Sequence, residues 1–318
     1  MTNSPAPEYS AERFDVAIIG GGAAGLSAAI ALGRSLRRVI VIDAGRQRNL
    51  PAHDAHNILG REGIAPADLI AAGRSEAVGY GVTLADDAVS GARRDDAGFS
   101  LDLVSGAVVA ARRILLATGL IDELPAIDGL SAGWGQTVLH CPYCHGWEVR
   151  GQRIGVIATG PMAEHQALLF GRLSDQVTVF DHGDVVGAEA RARLGAMGIA
   201  VVGGLVERVL ADGPRVQAVV VGGRDHAVDA VVVGTRMHAR AEVFEQLGGE
   251  VTEHPLGSFI ETDPTGRTAL DGVWAAGNVR DLSAMVGAAS GHGVFAGAAI
   301  NADLVDADVR EALASAVH

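Results

Sequence analysis

The chain contains no lysine; all 25 of its basic residues are arginine. That excludes Schiff-base catalysis through a lysine amine and a phosphate loop of the P-loop kind, which needs one. Positive charge is short altogether. With 25 Lys+Arg against 38 Asp+Glu the formal net charge is −13, which argues against a nucleic-acid partner, because neutralising phosphates takes basic side chains. No apolar run reaches the ~18 residues of a membrane span, so no membrane partner is expected. Residues 1–13 lack the basic start and apolar run of a secretion signal, which makes the cytoplasm the expected compartment. Cysteine is scarce as well, with two in 318 residues. A single CxxC pair in a reducing compartment points to a working redox couple rather than a disulfide framework.

At 318 residues, 48% hydrophobic and 20% charged, the chain is long enough for two ordinary domains, each with its own core. Residues 1–13, rich in Pro, Ser and Ala, read as a flexible tail. Phe14–Ile19 is a mostly apolar run, Gly20 to Gly25 a glycine turn, and 26–34 an Ala/Leu helix. Val39–Ile42 is a second buried strand, closed by Asp43. This is a βαβ unit of the parallel-sheet type. Strand-like runs recur at 100–104 and 107–116, and a second strand–turn–helix–strand spans 154–180. Further short strands are expected at 200–202, 216–221 and 230–233. A last buried strand at 273–276 feeds an Ala/Gly-rich helix over 285–304. The expected fold class is α/β, with two Rossmann-like three-layer nucleotide-binding domains, the second inserted into the first. The first domain is assigned 14–121 and 245–318, the second 122–244.

Gly20-x-Gly22-x-x-Gly25 lies between strand and helix, and Asp43 follows at the end of the next strand. The first glycine permits the tight turn, the second lets backbone approach a pyrophosphate, and the third allows close helix–strand packing. Ala23 and Ala24 complete the helix start, where free N–H groups favour an anion. Asp43, with Ala44 beside it, suits a ribose hydroxyl. The fingerprint by itself does not choose between FAD and NAD. Two distal segments, Ala117-Thr118-Gly119 and Gly272-Val273-Trp274-Ala275-Ala276-Gly277-Asn278, match the pattern of flavoprotein disulfide reductases.

Over nearly its whole length the chain resembles the low-molecular-weight thioredoxin reductase family. Arg48-Asn49, His56-Asn57 and Pro66-Ala67-Asp68-Leu69 look like that family's early FAD-contacting segment. The resemblance implies FAD as cofactor and a homodimer. It also implies that Gly277 and the residue after it serve the ribityl-phosphate side of the flavin. Asn278 stands where the family usually has an acid.

The cysteines sit in His140-Cys141-Pro142-Tyr143-Cys144-His145-Gly146-Trp147-Glu148. A Cys-Pro-Tyr-Cys also occurs in glutaredoxins, but those are small single domains with the motif near the start. No metal is expected, because His140, Cys141, Cys144 and His145 lie too close along the chain to wrap a tetrahedral ion. By the family's pattern Cys144 faces the flavin and Cys141 exchanges with substrate. His145 occupies the place where thioredoxin reductases usually carry an Asp. Histidine titrates near neutrality, so it can take a proton from a thiol or hold a thiolate as imidazolium. The Cys-x-x-Cys-His-Gly arrangement is similar to that of FAD-dependent dithiol oxidases, which close disulfides in dithiol natural products. Trp134, Tyr143 and Trp147 read either as packing or as a wall for an apolar dithiol.

After the strand at 154–157 the second fingerprint is damaged. It reads Ala158-Thr159-Gly160-Pro161-Met162-Ala163: an alanine replaces the turn glycine, Pro161 removes an N–H, and Glu164 puts a negative charge in the first helical turn. The next strand ends in Asp181, where NADPH-using family members carry a His-Arg-Arg run. NADPH is therefore disfavoured, while an acid at a strand end leaves NADH compatible. The leading expectation is a thiol–disulfide oxidoreductase running as a dithiol oxidase with O2 as acceptor and H2O2 as product. The alternative is a disulfide reductase driven by NADH, NADPH or ferredoxin, acting on a small disulfide or a thioredoxin-like protein. A third is a non-catalytic, flavin-bound redox sensor.

Overall fold

A computed structural model describes residues 13–316 of the chain. The tail expected over 1–13 lies outside the described residues except for Arg13, whose guanidinium pairs with Asp95 at 3.0 Å. The chain divides into two compact units. One comprises the segment up to Leu50, Pro66–Ile121 and the segment from Met237; the other comprises Pro51–Ala65 and Asp122–Arg236.

The first unit is built on a seven-stranded sheet. In order across it run Thr83–Ala85, Val39–Ile42, Phe14–Ile19, Val108–Leu116, Gly98–Leu103 and Val89–Asp95, with Val273–Ala275 also paired to Val108–Leu116. The inner strands are parallel, and the register sets their carboxyl ends level: Ile19 is opposite both Ile42 and Leu116, and Leu116 is opposite Ala275. Near-continuous Val, Ile and Leu explain why these strands are buried on both faces. One core holds Phe99, Ile114 and Leu116; the other holds Ile18, Leu32, Leu115 and Trp274, all under 2% exposed. The helices Ala23–Arg34 and Val286–Ser315 cover the second core, close enough that a Cβ on Gly293 would stand 2.0 Å from the Ala24 carbonyl oxygen.

The last helix runs eleven residues past its expected end at 304. The acidic stretch from Asp303 is not left to solvent: Asp303 pairs with Arg113 at 2.6 Å and Asp308 with Arg112 at 2.6 Å and Arg37 at 2.9 Å. These ion pairs tie the extension to the unit's body, and nothing in local spacing announces them.

The second unit repeats the plan on a smaller scale. Its five strands, all parallel, run in the order Ala200–Gly203, Val177–Asp181, Ile154–Ala158, Ala230–Val233, Val138–Leu139. A three-stranded antiparallel sheet, Val206–Asp212, Arg215–Val221 and Arg224–Ala227, contributes a further core with Phe180. The division differs from the expected one at two places. Residues 51–65 group with the second unit, held by a hydrogen bond from Asn57 Nδ2 to the Tyr143 carbonyl at 2.8 Å. Residues 237–244 group with the first, where Thr118 Oγ1 donates to the Arg240 carbonyl at 2.7 Å and the Arg240 N–H to the Gly119 carbonyl at 3.0 Å.

The helix crossing at Gly293 sets a test. Gly293→Ala forces backbone apart where the helices touch and is expected to destabilise the protein by about 1–3 kcal/mol. Thermal unfolding reads this directly, and an unchanged midpoint contradicts the packing described.

Candidate active site

Level strand ends in the first unit place Gly20, Asp43, Ala117 and Ala276 at one edge of the sheet, where ligands of open α/β sheets bind. Gly20 leaves the strand at φ +107°, and a Cβ there would meet the Ala117 carbonyl oxygen at 2.3 Å. A Cβ on Gly25 would come within 1.9 Å of the Gly20 carbonyl oxygen, so only glycine lets the helix start this close to the strand. Gly22 caps the helix Ala23–Arg34 with no side-chain hydrogen bond, and the first turn holds no acid. The space beside Gly22 is open. An uncapped helix end with free N–H groups and partial positive charge fits a pyrophosphate.

Asp43 lies against this turn, its Oδ2 2.7 Å from the Cβ position of Gly21, and takes a hydrogen bond from Gln47 at 2.8 Å. Ala44 follows it. Gly277 abuts the same helix start, since its Cβ would stand 2.9 Å from that of Ala24. Asn278 donates through Nδ2 to the carbonyls of Asp281 at 3.0 Å and Ala284 at 2.9 Å. A carboxylate could not make those two bonds, so the amide suits this loop. Ala23, Ala24, Ala117, Thr118, Gly119, Arg48 and Asn49 all belong to this unit as well. His56 and Asn57, expected beside them, belong to the other.

In the second unit the same positions behave differently. Ala158, the counterpart of Gly20, stays in the strand opposite Asp181. Ala163, the counterpart of Gly25, is buried, and Glu164 fills the first turn of the helix Ala163–Phe170, where it pairs with Arg193 at 3.1 Å. Asp181, the counterpart of Asp43, is only 1% exposed. Its Oδ1 accepts from the N–H groups of Val185 at 2.8 Å and Val186 at 3.1 Å, and its Oδ2 from Arg191. Both carboxylate oxygens are committed to folding the turn that follows.

The strand Val138–Leu139 delivers the cysteines at the carboxyl edge of the second sheet. Cys141 is the extended residue before the one-turn helix Pro142–His145, and its carbonyl accepts from the N–H groups of Cys144 and His145, both at 3.3 Å. Pro142 suits the first helical position, where its missing N–H has no intrahelical partner to lose. Both cysteines are half-buried. Gln166 Nε2 donates to the His140 carbonyl at 2.9 Å, and Trp134 stacks on the His140 ring at 5.7 Å. Tyr143 and Trp147 stand 64% and 65% exposed, the latter beneath the Arg150 guanidinium.

His145 Nε2 is buried without a hydrogen-bond partner among the described residues. Burial pushes its pKa down, Glu148 pulls it up, and His56 pushes it down. A histidine held below its ordinary value is neutral at neutral pH and ready to accept a proton. His56 and Glu148 join the site only through the fold. His56 Nδ1 lies 2.8 Å from Glu62 Oε1 and its Nε2 3.4 Å from Glu148 Oε1, the second a charge contact rather than an aligned hydrogen bond. Sequence spacing carries no sign of this grouping. No cluster able to hold a metal ion occurs among the described residues.

Residues 14–293 match the family model for pyridine nucleotide-disulphide oxidoreductases. The chain belongs to that family. The family is FAD-dependent, and this protein is a thioredoxin reductase-like oxidoreductase. It is similar to the thioredoxin reductase tcpT of Claviceps purpurea (strain 20.1), 33% identical over 279 residues, covering 83% of this chain and 86% of that one. The thioredoxin reductase sirT of Leptosphaeria maculans is 30% identical over 319 residues, covering 93% and 96%. The crystal structure of HlmI superposes with a TM-score of 0.90 at 39% identity and covers 96% of each chain.

The Asn278 geometry is testable. Asn278→Asp sets a carboxylate against two carbonyl oxygens and is expected to cost about 1–3 kcal/mol of stability at neutral pH. Chemical denaturation measures the loss, and a variant as stable as the parent contradicts the donor assignment.

Proposed function

We propose that this protein is a dithiol oxidase, closing a disulfide in a dithiol substrate with O2 as electron acceptor. The contrast between the two nucleotide turns carries the reading. One is open, uncapped and glycine-lined; the other is closed by Ala158, Ala163 and Glu164 with its acid internally satisfied. FAD is held by Gly20, Gly22, Ala23, Ala24 and Gly25 at the pyrophosphate. Asp43 and Ala44 take the ribose, while Arg48, Asn49, Ala117, Thr118, Gly119, Gly277 and Asn278 complete the cradle. Neither NADPH nor NADH is used, because Asp181 is buried against Arg191 and two backbone N–H groups and is withdrawn from ribose hydroxyls, and Glu164 sets a negative charge at the helix start where a pyrophosphate would lie.

The chemistry on the chain's own residues is thiol–disulfide exchange. His145 takes the proton of one substrate thiol, and the resulting thiolate attacks Cys141 Sγ of the Cys141–Cys144 disulfide. The S–S bond breaks, and Cys144 leaves as thiolate. His145 releases the first proton to solvent and takes that of the second substrate thiol, whose thiolate attacks the substrate sulfur of the mixed disulfide and displaces Cys141 as thiolate. Substrate leaves oxidised by two electrons and two protons, and the cysteine pair is left reduced. Bound FAD supplies the route by which that electron pair passes from the dithiol to O2, giving H2O2. The exposed rings of Tyr143 and Trp147 favour an apolar small dithiol over a thioredoxin-like protein.

A second reading, reduction of a disulfide at the expense of a nicotinamide nucleotide or ferredoxin, draws support from relatives named thioredoxin reductases. A homodimer accords with the exposed apolar residues Phe295, Val305, Val309 and Leu313 on the last helix. A cytoplasmic location accords with the thiol chemistry, and no described helix is long and apolar enough to cross a membrane.

Cys144→Ser is expected to retain the flavin's yellow absorbance while dithiol turnover falls by at least ~10³-fold. A yellow variant with near-parental turnover overturns the mechanism.

A further inference from the structure

Residues 51–65 pack in the same unit as the cysteines, and they bring charge with them. His56 is gripped from both sides: Glu62 at Nδ1, 2.8 Å, and Glu148 at Nε2, 3.4 Å. The Asn57 N–H donates to Glu62 Oε2 at 2.8 Å, and Asn57 Nδ2 donates to the Tyr143 carbonyl inside the cysteine helix. The segment is thus pinned to that helix by one hydrogen bond and lies against Glu148, three residues past its end, at 3.4 Å. Asn57 adopts φ +61°, a conformation Asn tolerates better than most residues, so a left-handed turn aims the two neighbouring side chains.

We propose that His56 is a positioning residue for the cysteine pair, drawing the Glu148 carboxylate to itself and away from His145 and thereby setting when His145 can act as base. This rests on the reading of His145 as the proton acceptor. The ionisable groups that bear on the His145 imidazole are Glu148 on its own segment and His56, beside Glu62, on 51–65, with Cys141 and Cys144 in the same short segment as His145. The helix Ala163–Phe170 brings Gln166 to the His140 carbonyl, and Leu173, beyond its end, lies against Gly146. Arg150 is occupied over Trp147.

The signs follow from the charges. Glu148 favours the imidazolium and His56, when charged, disfavours it. Replacing His56 leaves Glu148 without its second histidine contact and free to favour protonation of His145. Replacing Glu148 removes the attraction and leaves the repulsion. The two substitutions therefore push in opposite directions, which loosening of the structure does not do.

The test uses full-length protein with 13C-labelled histidine, following the His145 ring protons by NMR against pH, with the signal assigned by its loss in His145→Gln. His56→Gln is expected to move the His145 midpoint up by on the order of half a pH unit, and Glu148→Gln to move it down by a similar amount. The acid limb of flavin bleaching by a dithiol should shift with each. Shifts of one sign in both variants, or none, overturn the proposal. Opposed NMR shifts in a protein that no dithiol bleaches would sustain it while refuting the oxidase reading, so the two failures are separable.

Discussion

Four strand ends held level govern this protein. Because Ile19, Ile42, Leu116 and Ala275 stand in register across one sheet, the loops that follow them open side by side. Gly20, Asp43, Ala117 and Gly277 thereby converge from four places in the sequence. Parallel pairing between fully buried strands leaves little freedom to slip, since a one-residue shift would exchange every buried side chain between the two faces. The cradle is thus a consequence of the core beneath it.

The second unit has the same geometry and a different outcome. Ala158 continues the strand that Gly20 interrupts, and Ala163 fills the space that Gly25 leaves. The acid at the next strand end is kept, but its use has changed. Asp43 lies against an open glycine turn, whereas Asp181 is buried in a hydrogen-bonded loop with Arg191. The same sheet holds the strand Val138–Leu139, and with it the cysteine helix, in place. The Cys141–Cys144 pair depends on that sheet for position and on Pro142 for its one-turn helix.

Much of this was legible in the sequence, because periodicity and glycine spacing are local. Both βαβ units, the fingerprint with Asp43, and the damage at Ala158, Pro161 and Glu164 needed only neighbouring residues. What escaped was long-range pairing of charge. Nothing near Asp303 or Asp308 in the sequence announces the arginines 37, 112 and 113 that the fold brings beneath them. His56 and Asn57 were placed with the flavin segment by resemblance, and only the fold brings them to Tyr143 and Glu148, about ninety residues away. Asp181 kept the residue type of a ribose ligand, and its internal hydrogen bonds could be seen only with the turn folded.

The proposed oxidase takes its electrons from a dithiol rather than from a nicotinamide nucleotide. The most direct measurement mixes the yellow protein, without oxygen, with a small dithiol, NADH or NADPH in separate cuvettes and follows loss of flavin absorbance. Bleaching by the dithiol alone, reversed by air with release of H2O2, is the predicted result. Rapid, saturable bleaching by either nucleotide would contradict the closed second site and make this protein a reductase.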